Sequence, residues 1–149
     1  MGYFWWIKGT RCLVYVLAKT QLMTLINTPH AAQPGGHYSQ AIVHEKTAYL
    51  AGILPVLPNG EKLTDASIEA QTEAVLGNLR AILAACGSSP EQVLHVRIYL
   101  TDIAEWGTIN AMYANFFGSH APARAVVPVP ALHYGFKLEL EAVAAVAQP

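Results

Sequence analysis

The chain has 149 residues, of which 53% are hydrophobic and only 13% charged, where an ordinary soluble domain carries about 25% charged residues. That length suits one domain, and the composition excludes disorder over most of it. Nine Lys and Arg stand against ten Asp and Glu, a formal net charge of −1 with no basic run, which argues against a dedicated duplex-DNA binder. The two cysteines, Cys12 and Cys86, exclude a disulfide scaffold and fit a reducing compartment, the cytoplasm. So few charges cannot cover a monomer's surface. No uninterrupted apolar run is long enough for a spanning helix. A homo-oligomer with sizeable interfaces is therefore expected to hide the surplus apolar surface.

Residues 1–22 read as an extra N-terminal segment, apolar but broken by Lys8 and Arg11. The order of its basic and apolar parts is wrong for a signal peptide. The expectation is a segment outside the native domain or disordered, with Met23 as the functional start and a surface anchor through Trp5 and Trp6 as the other reading. A single domain is expected over 23–149. After the turn-rich Gln33-Pro34-Gly35-Gly36, Ser39–Glu45 and Thr47–Gly52 alternate as two strands, and Asn59-Gly60 marks a tight turn. From Asp65, the predicted cap, the period becomes helical: Ile68, Thr72, Val75, Leu79, Ile82, Leu83 and Cys86 form one stripe, ended by Gly87 and Pro90. Val93–Thr101 is a strand with Val96, Ile98 and Leu100 on one face. A second helix is predicted from Asp102, with Glu105 completing a capping box, and stops at Gly118. Ala123–Val129 and Phe136–Val146 are the last strands. The order ββαβαββ predicts an α+β two-layer sandwich with both helices on one sheet face and the other face left for a partner.

No metal pattern emerges from the six histidines, which lack i,i+4 pairs, and no CxxC, phosphate-binding glycine loop or GxSxG elbow is present. Period two along the last strand puts Lys137, Glu139 and Glu141 on one face and Leu138 and Leu140 on the other. Arg124 opens an otherwise apolar strand. A guanidinium there wants a carboxylate, because burying it unpaired is costly. Residue types alone favour an internal salt bridge to Glu139 or Glu141. The competing reading is a planar fork that receives a substrate carboxylate.

From Met23 onward the chain resembles the Rid/YjgF family of reactive-intermediate (enamine/imine) deaminases. The resemblance is carried by Gly36-His37-Tyr38-Ser39-Gln40-Ala41, Leu50-Ala51-Gly52-Ile53-Leu54-Pro55, Gln71-Thr72, Leu76-Gly77-Asn78-Leu79, Ala85-Cys86-Gly87, Tyr99-Leu100-Thr101-Asp102, Ile109-Asn110-Ala111-Met112-Tyr113, Pro122-Ala123-Arg124 and Lys137-Leu138-Glu139-Leu140-Glu141-Ala142. It implies a chorismate-mutase-like fold and a homotrimer with clefts between subunits. It also implies hydrolysis of 2-aminoacrylate-like enamines and imines to 2-keto acids and ammonia, the activity of a 2-iminobutanoate/2-iminopropanoate-type deaminase, with no cofactor or metal. On this resemblance Arg124 grips the substrate carboxylate and Glu139 handles water and protons, while Tyr38, Gly52, Ile53 and Asn110 line the cleft. Two positions depart from the pattern: Ala51 stands where Ser is common and Val126 where Cys is common. A lost hydroxyl is worth about 0.5–1.5 kcal/mol net, so the departures bear on substrate choice. They also motivate a non-catalytic ligand-binding or chaperone-like trimer as the alternative, with an RNA-cleaving translation inhibitor disfavoured by charge.

Overall fold

A computed structural model describes residues 5–7, 10–12 and 23–146. Apart from a short antiparallel pair, β1 (Trp5–Ile7) and β2 (Thr10–Cys12), the reading of residues 1–22 lies outside the described residues. The domain is one six-stranded sheet in the order β3-β4-β5-β8-β6-β7. Its strands are β3 (Thr24–Ile26), β4 (Ala41–His44), β5 (Thr47–Leu50), β6 (Val93–Leu100), β7 (Ala123–Pro128) and β8 (Leu138–Ala145). Every neighbouring pair is antiparallel except β6 and β7, which run parallel and are joined through the second helix. The sheet is thus mixed, and with both helices packed on one face it makes the expected two-layer α+β sandwich. β3 adds an edge strand that three residues could not announce by periodicity.

Helix α1 (Ile68–Ala85) buries the predicted stripe from Ile68 to Leu83, with Cys86 buried just beyond it. Its cap is Ser67, not Asp65: the Ser67 side chain accepts a hydrogen bond from the Ala70 amide. Both residues are good cap formers, and only the backbone decides between them. At the other end Gly87 takes φ +72°, and its amide and that of Ser88 return to Ala84 and Leu83 carbonyls, closing the helix in the manner glycine permits. Asp102 caps a short turn, Ile103–Glu105, by accepting from the Ala104 amide, and α2 proper runs Trp106–Phe117. The predicted helix start is therefore a 3₁₀ turn followed by the helix. Leu79, Leu83, Ile109 and Phe117 meet Val96, Ile98, Leu100, Leu138 and Leu140 in the core.

Cross-strand partners share a sheet face. On the helix-free face, Ile42, Tyr49, Val143, Tyr99, Ala125 and Val127 stand half-buried or exposed. Nothing among the described residues covers them, so the domain presents a bare sheet face of apolar side chains interspersed with Arg97, Glu139 and Glu141.

Candidate active site

Registers place the two charged residues of interest. Arg124 pairs with Val96 and Val96 with Ala142. Both partners are buried under the helices, so the Arg124 side chain leaves the sheet on the helix side. Its guanidinium lies over the Trp106 ring at 4.6 Å and the Tyr113 ring at 4.7 Å, and it donates a hydrogen bond to Asn110 Oδ1 at 3.0 Å. Glu139 pairs with Tyr99, which pairs with Val127, all on the opposite face. An internal salt bridge from Arg124 to Glu139 or Glu141 is therefore overturned. Glu141 instead pairs with Arg97 across β6 and β8 and accepts from the Tyr99 hydroxyl at 3.2 Å. Arg97 is thus satisfied within its own chain. That is the only ion pair among the described residues, and Arg124 keeps an exposed guanidinium with no carboxylate in reach.

Glu139 lines a pocket of about 710 Å³ together with Tyr38, Gly52 and Ile53. The segment through Ile53 runs beside β8, exchanging backbone hydrogen bonds with Leu140 in both directions. That lays Gly52 directly on the Glu139 carboxylate, and a Cβ at Gly52 would overlap Glu139 Oε1. Tyr38, 53% exposed, folds back so that its hydroxyl accepts from the Gly35 amide at 3.3 Å. Burial pushes the Glu139 carboxyl above the ordinary carboxylate range; His133 opposes that shift and Glu141 adds to it.

Three buried amides tie loops to the core, and two of them, Gln40 and Asn78, stand in the wall of this pocket. Gln40 accepts from the Thr28 amide and donates to the Thr28 and Ala32 carbonyls. Asn78, on α1, accepts from the Ala32 amide and donates to the Val56 carbonyl. Gln71 donates to the Thr64 and Ala66 carbonyls and accepts from the Lys137 amide. Buried polar groups need such partners, and here each amide ties a loop to the core.

Four residues assigned to the site by resemblance (Tyr38, Gly52, Ile53 and Glu139) come together in one chain. Asn110 and Arg124 form a second cluster that does not line the pocket. Asn110 braces the guanidinium rather than facing the cavity. Of the two departures, Ala51 lines the pocket without a hydroxyl, while Val126 packs against the core beside Arg124. Sequence reasoning missed Lys62, His133 and Tyr134, which line the pocket. Lone charged and aromatic residues in a loop carry no periodic signal. It also missed Trp106 and Tyr113 as the bed of the guanidinium. Cys86 is a free, buried thiol that burial pushes up to about 11, too high for a nucleophile at neutral pH. No group of three or more His, Cys, Asp or Glu among the described residues is placed to hold a metal, and no helix of the described residues is long and apolar enough to cross a membrane.

A family model described as endoribonuclease L-PSP matches residues 28–146. The chain is 36% identical over 129 residues to Reactive Intermediate Deaminase A, chloroplastic, of Arabidopsis thaliana, covering 87% of this chain and 69% of that protein. It is 34% identical over 120 residues to the 2-iminobutanoate/2-iminopropanoate deaminase of Rattus norvegicus, covering 80% of this chain and 88% of the relative. Among solved structures, the YjgF gene product of E. coli superposes with a TM-score of 0.77 at 32% identity, over 82% of this chain and 98% of that one.

Proposed function

The chain belongs to the Rid/YjgF family, and from that membership we propose that its pocket hydrolyses reactive enamines and imines of the 2-aminoacrylate type to 2-keto acids and ammonia. The substrate class is that of 2-iminobutanoate and 2-iminopropanoate, the compounds named for the rat relative. One observation carries the reading. An unpaired guanidinium and a carboxyl with a raised pKa sit on opposite faces of one sheet, each open to the outside. Neither has a partner suited to it among the described residues. A neighbouring copy that docks on the bare sheet face would supply Arg124 to the cleft holding Glu139, Gly52, Ile53 and Tyr38. The assembly is a homotrimer with one such cleft between each pair of subunits.

The chemistry follows from that pairing. The enamine takes a proton on carbon and becomes an imine. The fork of Arg124 holds the substrate carboxylate and orients the imine carbon. Glu139, as carboxylate, accepts a proton from water as it attacks that carbon, then passes a proton to the nitrogen that leaves as ammonia. A carboxyl whose pKa is raised toward the working pH is a better proton carrier in both directions. The backbone of Gly52 permits this close approach, since any side chain there would displace the acid. Imines hydrolyse readily in water, so this small polar set is sufficient, and no residue of the site calls for a metal or cofactor. The compartment we propose is the cytoplasm, in keeping with the free thiol of Cys86.

The test is to generate the imine in place with an amino acid oxidase or a serine-dehydrating lyase. Wild type should accelerate its loss, and Arg124→Ala should not. Rates for both equal to that without protein would leave a ligand-binding module instead, and equal acceleration by both would remove Arg124 from the reaction. The RNA-cleaving reading has the family description in its favour, but nine basic against ten acidic residues offer no phosphate-tracking surface.

A further inference from the structure

The pocket is larger than a small imine needs. A cavity of about 710 Å³ falls in the size range that holds drug-sized ligands. Its walls also carry a charge that the deaminase chemistry leaves unused. Lys62 Nζ stands 4.1 Å from the centre of the Tyr134 ring, in reach of no carboxylate among the described residues, and both residues line the pocket. Glu139 is the only acid in that lining, and His133 lies beside Tyr134.

The pair is built rather than loosely displayed. Lys62 pairs with Val56 across the turn closed by Asn59-Gly60, and Asn78 anchors the Val56 carbonyl from α1. Tyr134 takes φ +59°, the left-handed region that a bulky residue avoids. It is kept there by the hydrogen bonds of Gly135 and Phe136 back to Leu132 and His133. Its ring packs edge-on against the buried Phe136 at 5.7 Å. Backbone strain held by its surroundings concentrates where a side chain must be aimed. An ammonium seated on an aromatic face keeps donors free for an anion.

We propose that Lys62, seated on Tyr134, is a subsite for a second carboxylate, so that the pocket takes imines of dicarboxylic amino acids, those derived from aspartate and glutamate. This rests on the deaminase reading, in which Arg124 of a neighbouring copy already holds the carboxylate next to the imine carbon. The reaction is the same hydrolysis: water adds across the carbon–nitrogen double bond, ammonia leaves, and a dicarboxylic 2-keto acid remains.

The experiment compares two imines made in place. A D-aspartate oxidase acting on D-glutamate supplies the dicarboxylic imine, and a D-amino acid oxidase acting on D-alanine supplies the small one. The readout is the ratio of kcat/KM for the two, in wild type, Lys62→Gln and Lys62→Arg. Wild type should accept the dicarboxylic imine at least as well as the small one. Lys62→Gln should lower the ratio about fivefold, the size expected of one partly exposed ion pair, and Lys62→Arg should restore most of it. A ratio that Lys62→Gln leaves unmoved, whether both values stay or both fall together, overturns the subsite while the deaminase reading stands. A wild type inactive on both imines overturns the two together.

Discussion

Glu139 carries the most consequential environment in the chain. Its folded pKa is raised above the ordinary value of 4.5, first by burial. Activity should therefore climb with pH through the acid range, with its midpoint above 4.5, as the working carboxylate forms. The stability consequence has the opposite sense. A carboxyl that binds its proton more tightly folded than unfolded costs stability as pH rises through the folded pKa. Glu139→Gln should thus raise the melting temperature at neutral pH, with the gain vanishing below pH 4.5, while lowering kcat by about 10²–10⁴. Gly52→Ala should fold normally, since the atom it displaces is the end of a flexible side chain, yet lose at least tenfold in kcat because the acid is swung aside. At this scale the two charged residues were legible: strand periodicity set Glu139 apart from its leucines, and an Arg in an apolar strand demanded an explanation. Their separation onto opposite sheet faces was not, because the face of β7 depends on its register with β6. Lys62 and Tyr134 were illegible for a different reason, since their meeting depends on two loops folding toward each other.

At the scale of elements, α1 and β6 follow from hydrophobic period, and their predicted faces are the buried residues. Ends and short strands escaped. Asp65 and Ser67 are both cap formers two residues apart, and β3 is shorter than one clear alternation. The loops forming the pocket are held by amides that residue type alone would place on the surface. Asn78 is nearly fully buried and serves two loops at once. Asn78→Ala should cost about 1–3 kcal/mol, because it leaves the half-buried Ala32 amide and Val56 carbonyl without their partner, read as a lower urea midpoint. Ser67→Ala should cost about 1 kcal/mol by the same measurement and leave the pocket intact.

The whole molecule presents a helix-covered face and a bare sheet face, and the low charge content had already implied that something must cover such a surface. Composition could announce the need for a partner but not which edges meet. On the proposed trimer, one subunit's Arg124 serves its neighbour's Glu139. Sedimentation should give three times the chain mass for wild type and for both single variants, since Arg124 leaves the sheet on the helix side and Glu139→Gln keeps the size and shape of its side chain. The direct test is complementation. Arg124→Ala and Glu139→Gln, each inactive alone, are unfolded together in equal amounts and refolded, and imine hydrolysis is assayed. If the two residues work across a subunit boundary, every mixed ring contains one intact cleft and about a quarter of wild-type activity should return. If activity stays at the level of the separate variants although mixed rings have formed, the site is not shared between copies and this account of catalysis is wrong.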